Sequence, residues 1–60
     1  MYINGFYIQN APTYAEQKKA IIGRVYDDEV WFYGAYDDIK KAYALAAQIE
    51  NALVIINRNA

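Results

Sequence analysis

Hydrophobic spacing along the chain first marks a helix. In 37–52, DDIKKAYALAAQIENA, the residues Ile39, Ala42, Tyr43, Ala46 and Ile49, with Leu53 just beyond, recur at i, i+3 and i+4 and share one helical face. Asp37 is a good N-cap, and Asp38 adds a second negative charge near the positive end of the helix dipole. Alternation takes over elsewhere. Residues 20–26 (AIIGRVY) and 29–35 (EVWFYGA) read as the two strands of a hairpin around an acidic turn. Residues 2–9 (YINGFYIQ) read as another strand, with Gly5 at a bulge. Residues 53–57 (LVIIN) open with four apolar residues, the mark of a strand covered on both faces.

Segment 13–19 admits two readings. Thr13-Tyr14-Ala15-Glu16 matches a capping box and would start a short helix; the alternative is a long hairpin loop. An internal echo between residues 14–20 and 36–42 favours the helix. Pro12 marks a turn before it. The expected fold is a single α+β domain over 1–60. It is a four-stranded, mostly antiparallel sheet with one long helix on one face, in the order β-β-β-α-β, or minimal β-α-β-β-α-β if 13–20 is helical.

Strand alternation sorts side chains onto two faces. Val30 and Phe32 form the uncharged set of their strand and should meet the helix, joined by Ile21, Gly23 and Val25, and by Phe6 and Ile8. The opposite face then displays Tyr7, Ile22, Arg24, Tyr26, Trp31 and Tyr33, with an aliphatic pair from 53–57. One helix cannot cover both faces. An exposed set of this size exceeds what a soluble monomer usually shows, so another molecule should cover it. A one-residue slip would exchange the two sets.

Composition narrows the chemistry. The chain has no histidine, cysteine or serine, so no Ser/His/Asp or Cys/His system can be assembled, and a structural zinc is not expected. The expectation is a protein that is not an enzyme and needs no cofactor. Six basic and seven acidic residues give a net charge of −1, which argues against a dedicated phosphate binder. No apolar run approaches a membrane span, and no signal peptide is recognisable, so a cytoplasmic protein without a membrane partner is expected. Seven tyrosines are the most unusual feature, a residue enriched at binding surfaces.

The carboxylates Asp27, Asp28 and Glu29, and Asp37 and Asp38, lack the alternate spacing of a calcium loop, so no metal site is expected. If both clusters fall at one end of the sheet, they form an acidic rim that steers a basic partner. Lys18-Lys19 and Lys40-Lys41 read as solvated surface.

No family is recognised. Gly5-Phe-Tyr-Ile-Gln9, within a β-α-β-β-α-β order, resembles the peptidoglycan-binding SPOR domain at a few positions, and no residue role is carried over from it. A short, acidic, tyrosine-rich chain without catalytic side chains is similar as a class to small phage proteins that inhibit host factors. The sequence thus points to a protein-binding module, a phage-type (viral) inhibitor acting by steric occlusion through its aromatic sheet face and self-associating as a homodimer. The alternative is a single-stranded nucleic-acid adaptor that stacks bases on the same aromatics, as RRM-type sheets do. Glu29-Val-Trp-Phe-Tyr-Gly-Ala35 does not match that pattern, because it begins with an acid.

Overall fold

Two tight hairpins, each closed by a pair of residues with positive φ, organise the chain. Asn4 (φ 53°) and Gly5 (φ 86°) join β1 (Tyr2–Ile3) to β2 (Phe6–Gln9); Asp27 (φ 50°) and Asp28 (φ 63°) join β3 (Ala20–Tyr26) to β4 (Glu29–Tyr36). Both pairs fit the geometry of two-residue turns whose twist matches that of the strands. The expected strand over 2–9 is therefore two strands. Gly5 sits in a turn rather than at a bulge. A 3-10 turn (Thr13–Gln17) links β2 to β3, and α1 (Ile39–Ala46) precedes β5 (Ala52–Ile56). The structure, a computed structural model, describes all residues from Met1 to Ala60.

The five strands form one curled sheet in the order β1-β2-β4-β3-β5. Every pairing is antiparallel except β2 with β4, where Ile8 lies beside Val30 in parallel register. The mixed α+β class holds, with five strands in place of four. The sheet curls far enough that Asn4 Nδ2 donates to the Ile56 carbonyl at 2.8 Å, joining the β1–β2 turn to the edge strand β5.

The helix is shorter than its apolar spacing suggests. Asp38, not Asp37, is the N-cap, and its Oδ1 accepts from the Lys41 amide at 3.1 Å. Asp37 instead pairs with Lys18 Nζ at 3.1 Å. Past Ala46 the chain tightens into i→i−3 bonds, from the Gln48 amide to the Leu45 carbonyl and from Ile49 to Ala46. Asn51 (φ 62°) then turns it into β5, so Leu53 lies in a strand. In segment 13–17, Thr13 makes no capping bond and Pro12 occupies the cap position. The capping box does not form, and the segment is neither an α-helix nor a plain loop.

A bulge in β4 decides which side chains share a face. The pairs Ala20↔Tyr36, Ile21↔Ala35 and Ile22↔Gly34 give way to Gly23↔Phe32, Arg24↔Trp31 and Val25↔Val30, leaving Tyr33 without a partner in β3. Paired residues point to the same side. The inner face thus holds Ile21, Gly23, Val25, Val30, Phe32 and Ala35. The outer face holds Ala20, Ile22, Arg24, Tyr26, Trp31, Gly34 and Tyr36.

Each face has its own core. Inside the curl, Ile21, Ile55, Ile8 and Ile3 pack on Ala15 of the 3-10 turn, with Phe32 and Val30 against them. On the outside, Ala42 of α1 packs on Ala20 and Ile22, flanked by Val54, Ile56 and Tyr36. This corrects the expected covering of the sheet. Val30, Phe32 and Ile21 meet the N-terminal strands and the 3-10 turn, not the helix, and Phe6 and Val25 remain exposed. The helix lies on the same side as the aromatic set. No second molecule is needed to cover the opposite side.

Candidate binding face

On the outer face, cross-strand neighbours fall into rows. Near one end, Tyr36, Ala20 and Ile56 form a row, and Gly34, Ile22 and Val54 form the next. The eight residues of α1 cover these two rows. Ile22 is fully buried there, so it belongs to the core and drops out of the expected binding set. Toward the β3–β4 turn, the next row runs Gln9, Trp31, Arg24 and Ala52. Beyond it, Tyr26 pairs with Glu29, while Tyr7 pairs with Tyr2 one step before Gln9 on β2. The helix itself does not reach these last two, bare rows; only the chain just after it borders them, through Ala52 and the Glu50 carbonyl that accepts from Arg24 Nε.

The bare rows carry the aromatic side chains. Tyr7 is 47% exposed, Tyr26 44% and Trp31 37%, and the bulge residue Tyr33 is 46% exposed. At roughly 200 Å² per ring, Tyr7, Tyr26 and Trp31 together present about 250 Å², no more than the largest apolar patch on an ordinary monomer.

Polar contacts fix the surrounding side chains. Arg24 lies over the Tyr26 ring, 5.0 Å from its centroid, and its Nε donates to the Glu50 carbonyl at 3.2 Å. Gln9 Nε2 donates to Glu29 Oε2 at 2.7 Å. Tyr2 and Tyr7 meet edge to face, with centroids 5.0 Å apart. These contacts tie Arg24, Tyr26, Gln9 and Tyr7 to their neighbours. Tyr36 bridges the covered and bare halves, its ring folded back over Gly34, where a Cβ would collide with the hydroxyl. Burial raises its phenol pKa above 10.0, and the neighbouring Tyr33 and Tyr14 phenols add to the shift.

Of the expected set, the structure brings Tyr7, Arg24, Tyr26 and Trp31 together on the bare rows, with Tyr33 at the bulge. The acidic residues separate. Asp27, Asp28 and Glu29 border the aromatic rows, whereas Asp37 and Asp38 lie past the far end of β4, so the two clusters form no common rim. The alternation also places Gln9 outward beside Tyr7, as found; sequence reading missed Tyr2, whose register is set by the Asn4-Gly5 turn rather than by a bulge. No group of three acidic side chains converges as an ion site, and no helix is long and apolar enough to cross a membrane. No protein-family model matches the sequence, and neither the curated proteins nor the solved structures yield a match.

Proposed function

We propose that the chain is a non-enzymatic protein-binding module whose bare outer rows, centred on Trp31, pack against another polypeptide. The observation that carries this reading is the half-covered face: α1 shields the two rows around Ile22 and leaves the aromatic side chains of the next rows partly exposed. Trp31 sits in the inner of the bare rows, where a partner would desolvate it most fully, as interface anchors are. The mode is steric, with no group on the face equipped for chemistry. Occlusion of a partner's surface in the manner of a phage-type inhibitor is its functional extension, in a cytoplasmic setting that the absence of cysteine suits.

In the absence of a partner, the same rows pair two copies of the chain. Two patches would bury roughly 500 Å² of ring surface, below the 1,200–2,000 Å² of a standard interface, and would set two acidic borders against each other, so the homodimer is weak. Sedimentation velocity from micromolar to millimolar concentration tests it. A concentration-dependent dimer is expected for the native chain and a monomer for Trp31→Ala; a native chain that stays monomeric throughout removes self-association. The nucleic-acid alternative has little support, since Arg24 is the one cation in the bare rows and three carboxylates border them.

A further inference from the structure

Charge is sorted along the strands. The end that carries the β3–β4 turn holds Asp27, Asp28, Glu29 and Glu50 against Arg24 alone, a net of −3. The end that carries the start of α1 holds Lys18, Lys19, Lys40, Lys41 and Arg58 against Glu16, Asp37 and Asp38, a net of +2. Together these make the chain's −1. The aromatic rows lie at the negative end. None of Asp27, Asp28 and Glu29 has a cation within ion-pair distance, because Lys18–Asp37 is the one salt bridge in the molecule.

Between β2 and the β3–β4 turn runs a cleft of about 250 Å³, continuous with the rows through Tyr7 and Gln9. Its walls are Phe6 and Tyr7 on one side and Asp28 and Glu29 on the other. Gln9 holds Oε2 of Glu29, which leaves Oε1 to accept from an incoming donor. Exposed ring faces opposite carboxylates suit a cation with an apolar stem: the rings attract the charge through their quadrupoles and cover the methylenes, and the acids accept its hydrogen bonds.

We propose that the bare end of the outer face docks a basic polypeptide segment, with one arginine or lysine side chain entering the cleft between Tyr7 and Glu29. This rests on the protein-binding reading and names the chemistry of the partner. The aromatic rows supply contact area, and the carboxylates supply register and orientation. An acidic peptide or a nucleic acid meets unpaired negative charge at the same place and is rejected.

Tetra-arginine peptide is a sufficient probe. It is titrated into the isotope-labelled full chain while amide and indole shifts are followed, with tetraglutamate and an oligothymidylate run alongside. Saturable shifts are expected at Phe6, Tyr7, Gln9, Asp28, Glu29 and the Trp31 indole, with neither control reproducing them. The variant Asp28→Asn/Glu29→Gln keeps side chains that tolerate the turn. It should weaken binding about tenfold, since two exposed charge contacts contribute roughly 1.4 kcal/mol in all. The inference is overturned if the shifts are as large at Asp37, Asp38 and Glu16 as at the cleft, if no saturable site appears, or if the oligothymidylate occupies the same rows. Concentration-dependent dimers without a tetra-arginine site would leave the face as an interface and remove only the basic partner. A tetra-arginine site on a chain that is always monomeric would keep the basic partner and remove only self-association.

Discussion

Placing a methyl group on Gly23 should set the two halves of the central hairpin against each other. Gly23 faces the inside of the curl opposite Phe32, and an ideal Cβ there overlaps Val30 Cγ1 and stands 3.4 Å from the Trp31 carbonyl oxygen. The overlap is too deep for a rotamer change alone, because Val30 is itself packed against the inner core and the other neighbour is backbone. Overpacking of this kind costs about 1–3 kcal/mol. In a domain of this size each kcal/mol moves the melting temperature by about 4–8 °C, so Gly23→Ala should melt roughly 4–24 °C below the native chain. Circular dichroism melts of Gly23→Ala, Val30→Ala and the double variant form a cycle. The double variant should be more stable than the sum of the single losses implies, by about 0.5–3 kcal/mol, since truncating Val30 makes room for the new methyl. Carrying the far-end register of Ile22↔Gly34 through to the turn would instead place Gly23 opposite Tyr33 and Trp31 opposite Val25, turning the indole inward. Coupling of Gly23→Ala to Tyr33→Ala instead of to Val30→Ala would refute the register and, with it, the outward position of Trp31.

Four further substitutions probe the turn, the start of the helix and the half-buried phenol of Tyr36. Asp28→Gly should raise the melting temperature by a few degrees, because a non-glycine residue at φ 63° carries a left-handed penalty on the order of 1 kcal/mol, partly offset by the freedom glycine adds to the unfolded chain. Asp38→Ala should cost about 1 kcal/mol in denaturant unfolding through loss of the cap on Lys41, whereas Asp37→Ala should cost less, since it breaks only an exposed ion pair. Tyr36 has its folded pKa raised, so its contribution is fully present below 10.0 and is lost as pH rises through the folded value. Urea titrations on either side of that range should show an alkaline loss of stability that is smaller in Tyr36→Phe.

How much of this was legible in the sequence differs between elements. The β3–β4 hairpin is written in its alternation and its acidic turn, and both strands fall within a residue of their expected ends. The gathering of Tyr7, Arg24, Tyr26 and Trp31 on one side follows from the same alternation. The side covered by α1 did not follow. Polarity places Arg24 and Glu29 outward, but outward is not away from the helix, because a short helix covers only half of one face. The cover on the inner face comes from segments with weak signals of their own, a two-residue strand and a 3-10 turn that buries one alanine. Two features were readable and were passed over. Asn-Gly is the strongest short hairpin signal, and at Asn4-Gly5 it fixes β1 and the position of Tyr2. An eight-residue β4 also separates whatever flanks it, so Asp27, Asp28 and Glu29 could not share an end with Asp37 and Asp38.

The Asp27-Asp28 turn joins the conformational and electrostatic arguments. Two adjacent left-handed residues call for asparagine or glycine, as the first hairpin shows with Asn4-Gly5. The second hairpin instead puts aspartate, which tolerates the left-handed region less freely than glycine, at both positions, sets two like charges side by side and adds a third at Glu29, with no cation of its own to relieve them. Solubility does not require this, since Glu50 and Arg24 already charge that end of the molecule. Departures from local preference concentrate where a surface is used, because there the compensating interaction lies in another molecule. The strained acids stand beside the rows that α1 leaves bare, and the compensation they lack is positive charge. A variant that relaxes the turn, Asp28→Gly, should therefore separate the two quantities by gaining stability while losing affinity for tetra-arginine. Were it to lose both, the aspartate would be a structural turn residue and the acidic border an accident of composition.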